Sequence, residues 1–436
     1  MSLRDLLVIA IVLWASISAL RKPWIGILCW TWLSVMNPHR YTWGIAFDAP
    51  LAAIVAGTTL LGTLITQDKR SPFQGAPVAI FFAFTVWMTI SWANSLDPQG
   101  DMPQWEKVLK INLMTMVGLA VIRQRLQIMA LAWVATFSLA LLGAKGGIFT
   151  IMSGGGARVW GPPGSFIEDN NEFALALVTT IPMLRFLQMQ VQDRRVVYAL
   201  TGIMMLCAAS VLGSQSRGGL LAIATMALVL WWRGKRKALA GILIAGVAIW
   251  LLTFMPDEWS ARMATIGNYQ EDGSAMGRIS AWWNAWNLAF EYPTGAGFTT
   301  ARPDLFARYS PFPDIVQGAH SIYFQALGSH GFIGLGLFLL IGLTTWLSAG
   351  WLRKHAARTP EAKWAGELGG MVQVSMAGYA VGGAFLGLAY FDLPYILMTL
   401  VVLSRAWVVN RDWERESLMQ PRPRWYQLFG LVPRAD

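Results

Sequence analysis

Long apolar runs separated by short polar connections dominate this chain. A helix that crosses a bilayer needs about 20 predominantly apolar residues. Such runs fall at about 3–20, 24–44, 49–66, 77–94, 106–122, 126–150, 171–189, 195–214, 217–233, 236–254, 320–347, 365–388 and 392–408. The pattern predicts an all-α, polytopic integral membrane protein with 12 or 13 spans, the short second run being at most a partial one. Arg21 and Lys22 follow the first run with no small-residue cleavage site, so that run is expected to remain as a helix.

The polar connections orient the bundle. RK (21–22), DKR (68–70), RQR (123–125), QDRR (192–195), RGKRK (233–237), LRKHAAR (352–358) and the tail fall on one side if the spans alternate. Basic loops mark the cytoplasmic side. The other side then carries 95–105, 153–171 and a long connection over 255–319. Four parts are expected: an N-terminal bundle (1–254), a large periplasmic loop (255–319), C-terminal transmembrane helices (320–408) and a basic cytoplasmic tail (409–436). Within the loop, "MGRISAWWNAWNLAFEYP" puts Ile279, Trp282, Trp283, Trp286 and Phe290 at helical spacing. That predicts an amphipathic helix whose aromatic face lies along the membrane surface or packs on the bundle.

Composition agrees. Hydrophobic residues make up 55% of the 436 and charged residues only 13%, about half the share of a soluble domain. The net charge of +10 needs no nucleic acid, because the bases sit in inter-span loops and no long basic tract with interleaved aromatics occurs. Cys29 and Cys207 lie inside apolar runs and read as core residues.

The candidate chemistry is narrow. None of the four histidines pairs at metal-site spacing, and no P-loop, C-x-x-C or H-E-x-x-H occurs. No metal and no cofactor are expected. Acids are sparse within the runs, with Glu172, Glu367 and Asp392 at span ends, which weakens an ion-coupled transporter. Polar groups instead converge on the outer side. Arg217 in "SRGG" stands where two spans meet, against the positive-inside bias. Arg278 and Arg262 lie in the loop; Arg158, Glu168, Asn170, Asn171 and Glu172 come from another outer connection. His320 opens the following span with Tyr323, Phe324 and Leu327 on its helical face. A neutral imidazole can take a proton from a hydroxyl, and guanidinium forks suit pyrophosphate. His330, ten residues on, reads as structural. A base with cationic clamps suits glycosyl transfer from a lipid-linked pyrophosphate donor.

"SRGGLLA", "GSAMGRISAWWNAWNLAFEYPTGAGF" and "AHSIYFQALGSHGFIGLGLFL" together resemble the O-antigen ligase and polymerase superfamily. "RKPWIGILCWTWLSVMNPHRYTWG" and "RVWGPPGSFIEDNNEFALAL" resemble its bacterial O-glycosylation and O-antigen ligase branch. The resemblance implies transfer of a glycan from undecaprenyl pyrophosphate to lipid A–core oligosaccharide, inverting and metal-independent, at the periplasmic face of the inner membrane. It carries the essential histidine onto His320 and the arginines onto Arg217 and Arg278, with Arg262 and Arg158 as weaker candidates. Tyr323, Glu168 and Asn171 are candidates for acceptor or support roles. Ser321 follows the histidine where Asn is common, and "GSH" stands where an acid is common, so no orienting carboxylate is expected at that position. A polymerase or protein O-oligosaccharyltransferase would share donor and clamps; a lipid-linked sugar transporter is the alternative from another class.

Overall fold

The computed structural model describes residues 2–234, scattered positions between 237 and 259, residues 273–416, and Phe429. Among the described residues the fold is helical without strands. The helices are α1 (Leu3–Ala19), α2 (Pro23–Met36), α3 (Ile45–Asp48), α4 (Leu51–Ile65), α5 (Ala76–Ala93), α6 (Pro98–Val121), α7 (Arg125–Met152), α8 (Asn170–Gln190), α9 (Arg194–Gly213), α10 (Arg217–Arg233), α11 (Gly273–Glu291), α12 (Pro303–Tyr309), α13 (Ile322–His355), α14 (Lys363–Gly383), α15 (Asp392–Val409) and α16 (Asp412–Glu416).

Six of these, α5, α7, α8, α9, α13 and α15, are long and apolar enough to cross a membrane. Two other apolar helices, α2 and α4, are shorter. The run expected over 24–44 stops being an α-helix at Met36, because Asn37 turns left-handed (φ 52°) and Pro38 cannot continue the ladder. The run expected over 236–254 lies mostly outside the described residues.

Helix ends sort to two ends of the bundle. At one end Arg70 grips Asp412 with two nitrogens (2.9 and 3.1 Å), Arg123 pairs with Asp68, the Arg125 N–H donates to Glu416, and Gln190 donates to Glu367. Of the basic connections expected to share a side, those at 68–70 and 123–125 and the start of the tail thus do meet. The other end gathers the N-termini of α6, α8, α10 and α13, capped by Asp97, Asp169, Ser216 and Ser321. Each cap side chain accepts a backbone N–H that the first helical turn leaves open.

α8 is the central helix, with nearly every residue buried. Its neighbours α7 and α9 approach through small residues: a methyl on Gly143 would stand 2.6 Å from the Cys207 Sγ, so only glycine permits this approach. Cys207 and Cys29 are both buried.

α13 breaks at Gly331 (φ 67°, ψ −172°) inside what reads as one apolar run. A break inside a span must find donors for the carbonyls it frees. Ala296 N–H donates to the Gly328 carbonyl (3.1 Å), Gly297 N–H to that of Ser329 (3.2 Å), and Trp87 Nε1 to that of His330 (2.8 Å). The connection after α11 therefore docks on the break. Asp101 on α6 holds the same segment by accepting from Phe298 and Thr299 N–H.

α11 packs on the bundle through its small residues. Its small face, Gly277, Ser280, Ala281, Ala285 and Ala289, is buried, and Ala285 packs on Gly328 of α13. Trp283, Trp286 and Phe290 are exposed, with Trp286 and Phe290 edge-on to Phe332 of α13.

Candidate active site

Four segments converge at the capped end. His320 precedes α13, Glu172 lies in the first turn of α8, Arg217 starts α10, and the 384–391 connection joins α14 to α15. His320 Nδ1 lies 3.3 Å from Glu172 Oε1. The same carboxylate oxygen accepts the Gly387 N–H (3.1 Å). Glu172 Oε2 is buried with no hydrogen-bond partner, and the Glu172 side chain is only 8% exposed against 30% for His320. The carboxylate is thus fixed inside while the ring edge reaches the surface. A carboxylate only accepts, so the shared hydrogen sits on Nδ1, and in the neutral ring Nε2 then carries the lone pair. Nε2 faces Gly318, 3.9 Å from where a Cβ there would stand.

Backbone geometry supports this placement. His320 adopts φ 39°, a left-handed conformation that disfavours side chains other than glycine. Such strain is retained only where surroundings over-determine it. On one side, Trp282 Nε1 donates to the Ala319 carbonyl (2.9 Å) and its ring stacks on Phe324 (4.9 Å, 8°). On the other, Ser321 caps α13 by accepting from Phe324 N–H.

Asn171 and Arg217 join through a cap. Ser216 Oγ donates to Asn171 Oδ1 (2.8 Å) and accepts the Gly219 N–H, and Asn170 Nδ2 donates to the Ser214 carbonyl (2.7 Å). Gly218, next to Arg217, packs on Leu386, which precedes the Gly387 that touches Glu172. Arg217 itself is half-buried. Arg158 is exposed and donates through Nε to Gln215 (3.2 Å), two residues before Arg217. Arg278 lies one turn before Trp282 on α11, half-buried, and donates to Ser274 (3.1 Å). Arg262 lies outside the described residues.

Glu168 lies in the 161–168 loop that leads into α8. It accepts the Gly164 N–H (2.8 Å) and shapes its own loop. Tyr323 donates to the Ala380 carbonyl (2.8 Å). It forms a wall at the top of an apolar groove of about 510 Å³ between α13, α14 and α15, lined also by Ile322, Phe338, Trp346, Tyr379 and Tyr395. A second apolar cup, beside Trp282, is lined by Ile279, Trp283, Trp286 and Phe324. Asp169, the α8 cap, has its carboxyl below the ordinary range: burial pushes it up, but hydrogen bonding to its neighbours, the Asn171 N–H and side-chain amide among them, outweighs that.

His330 sits deep at the α13 break, fully buried, with Nε2 2.8 Å from Tyr390 Oη and edge-on to Phe84 and Phe298. It is a core residue.

Glu172 is the member of the site that pattern reading left without a partner. It was visible as an acid opening a span, but nothing in the spacing pointed to His320 from a helix 148 residues away. It supplies from α8 the carboxylate that the "GSH" segment lacks.

A multi-pass helical membrane protein with a histidine–carboxylate pair at one end of its bundle defines the class. Residues 202–339 match the family described as O-antigen ligase, and residues 3–188 match a family of unknown function, DUF5935. No curated protein matches the chain. The match over residues 202–339 supports the O-antigen ligase superfamily, a family of ligase- and polymerase-type membrane enzymes. The pair straddles the two matched regions: His320, Arg217 and Arg278 lie in the second, Glu172 and Asn171 in the first.

Proposed function

We propose that the protein is an O-antigen ligase that transfers a glycan from undecaprenyl pyrophosphate to lipid A–core oligosaccharide, at the periplasmic face of the inner membrane. The observation that carries this reading is the His320–Glu172 pair, in which the buried carboxylate leaves Nε2 free to accept a proton. The acceptor hydroxyl oxygen attacks the anomeric carbon as Nε2 takes its proton. The bond from that carbon to the phosphate oxygen breaks, and the lipid pyrophosphate leaves with the electron pair. Arg217 and Arg278 offset the growing negative charge, with Arg158 and Arg262 as outer contributors. Attack from the face opposite the leaving group inverts the anomeric centre. The apolar groove that starts at Tyr323, three residues past the base, supports a donor carried on a long lipid.

The test is reconstitution of the purified protein with lipid-linked donor and separate acceptors in EDTA. Product on lipid A–core supports the ligase. Ladders of longer lipid-linked glycan assign a polymerase instead, and product on a protein hydroxyl assigns an oligosaccharyltransferase. Translocation of donor that survives His320→Ala, without any transfer, assigns a transporter. Strict metal dependence overturns the mechanism.

A further inference from the structure

Most described bases at the His320 end have polar protein partners. Arg302 pairs with Asp304 (2.8 Å), Arg308 with Glu291 (2.7 Å) and Lys110 with Glu106 (2.7 Å), while Arg158 reaches Gln215. Three are held differently. Lys107 of α6 stands 3.7 Å over the Phe166 ring, Arg40 lies 5.0 Å over Phe47, and Lys145 of α7 is 4.8 Å over Tyr41.

Arg40 and Lys107 share one neighbourhood, and Lys145 is tied to it through Tyr41. Phe166 lies in the 161–168 loop, where a methyl on Gly164 would stand 3.5 Å from Arg40 Nη2. Tyr41, under Lys145, is the next residue after Arg40. Lys107 feels Arg40 as a repelling charge and the buried Asp392 as an attracting one. Asp392 is not within ion-pair distance and is hydrogen-bonded to Ser34 (2.6 Å). Among the described residues, none of the three bases forms an ion pair or donates a hydrogen bond to protein.

An aromatic face attracts a cation but accepts no strong hydrogen bond. The rings therefore hold these side chains in place while their N–H groups stay available, three on each lysine and five on the arginine. Gathering like charges around one loop is unfavourable without a counter-charge. Lys107 and Lys145 are exposed and Arg40 half-buried, so an anion can reach them.

We propose that Arg40, Lys107 and Lys145, held by their rings around the 161–168 loop, form an anion site that takes a phosphate group, carried on a lipid headgroup or free in solution. All three lie within residues 3–188, to which the match assigns no function. The site does not involve His320, and its binding does not depend on the transfer reaction.

The full chain in neutral detergent, titrated with dioctanoyl phosphatidic acid under non-denaturing mass spectrometry, tests this. The wild type is expected to bind one phosphatidic acid tightly. The R40Q/K107Q/K145Q variant is expected to bind it about 10-fold or more weaker, as loss of charged hydrogen bonds implies. Lys145→Gln alone, at an exposed position, should give a partial loss and keeps the test decisive if the triple variant misfolds. Competition by millimolar inorganic phosphate assigns the site to free phosphate; tight lipid binding that phosphate does not displace assigns it to a headgroup. Wild-type affinity in Lys145→Gln, or in a folded triple variant, or failure of both probes to bind the wild type, overturns the proposal.

Discussion

Glu172 and His320 face each other at 3.3 Å across the mouth of the bundle, and the carboxylate that orients the ring is almost wholly buried. A buried acid with one oxygen otherwise unsatisfied is costly to keep unless it serves the ring it faces. Glu172→Gln keeps the volume but lets an amide N–H face Nδ1, which favours the tautomer that blocks Nε2. We expect this variant to lower kcat for glycan transfer by about 10²–10⁴-fold, with KM for the donor little changed. His320→Ala should fall at least as far. A purely structural role for Glu172 would instead lower the amount of folded protein and leave kcat per folded molecule intact.

Arg217 tests the clamp. Lysine at this position keeps the charge and loses the planar fork. If Arg217 holds the pyrophosphate with two nitrogens, Arg217→Lys should lower kcat/KM for the lipid-linked donor by about 10-fold or more, the worth of one charged hydrogen bond. Initial rates over a range of donor concentrations check this, and near-full activity would remove Arg217 from the pyrophosphate site.

Much of the bundle was legible because apolar runs of span length have few alternatives. Most of the features that escaped are non-local, the end of α2 excepted. The end of α2 turns on the left-handed Asn37 before Pro38, a local signal weaker than the apolar residues beyond it. The break at Gly331 lies inside a glycine-rich apolar run, and becomes visible only when Ala296, Gly297 and Trp87 are seen to satisfy its carbonyls. The aromatic stripe of α11 was the conspicuous pattern, yet the residues it buries are mostly the small ones beside it. At the site, His320 stood out by position and by resemblance. Glu172 did not, because a pair between helices leaves no spacing in the sequence.

Far from the site, Arg70 and Asp412 tie the connection between α4 and α5 to α16. Asp412 is 6% exposed and Arg70 23%, and the contact is two-pronged. Asp412→Asn leaves the guanidinium facing a neutral amide. A cost of roughly 1–3 kcal/mol in stability is expected, read as a lower thermal midpoint in detergent. Transfer activity per folded molecule at low temperature should be unchanged. Loss of activity without loss of stability would show instead that this end of the bundle communicates with the site.

Gly331 offers a sharper structural test. Its φ of 67° is open to glycine and strained for any L side chain, and a Cβ there would overlap the Pro293 carbonyl oxygen. Backbone cannot swing aside as a flexible side chain can. Gly331→Ala should therefore either push the 293–297 connection off α13 or straighten the helix. The strain alone costs roughly 1–3 kcal/mol. Moving the connection also removes donors from the Gly328 and Ser329 carbonyls, each a further loss of about 1 kcal/mol. The expected result is a marked fall in the thermal midpoint, together with faster proteolysis within 293–302, the segment that the break holds in place. A variant as stable and as protease-resistant as the wild type would mean that the break at Gly331 does not hold that connection.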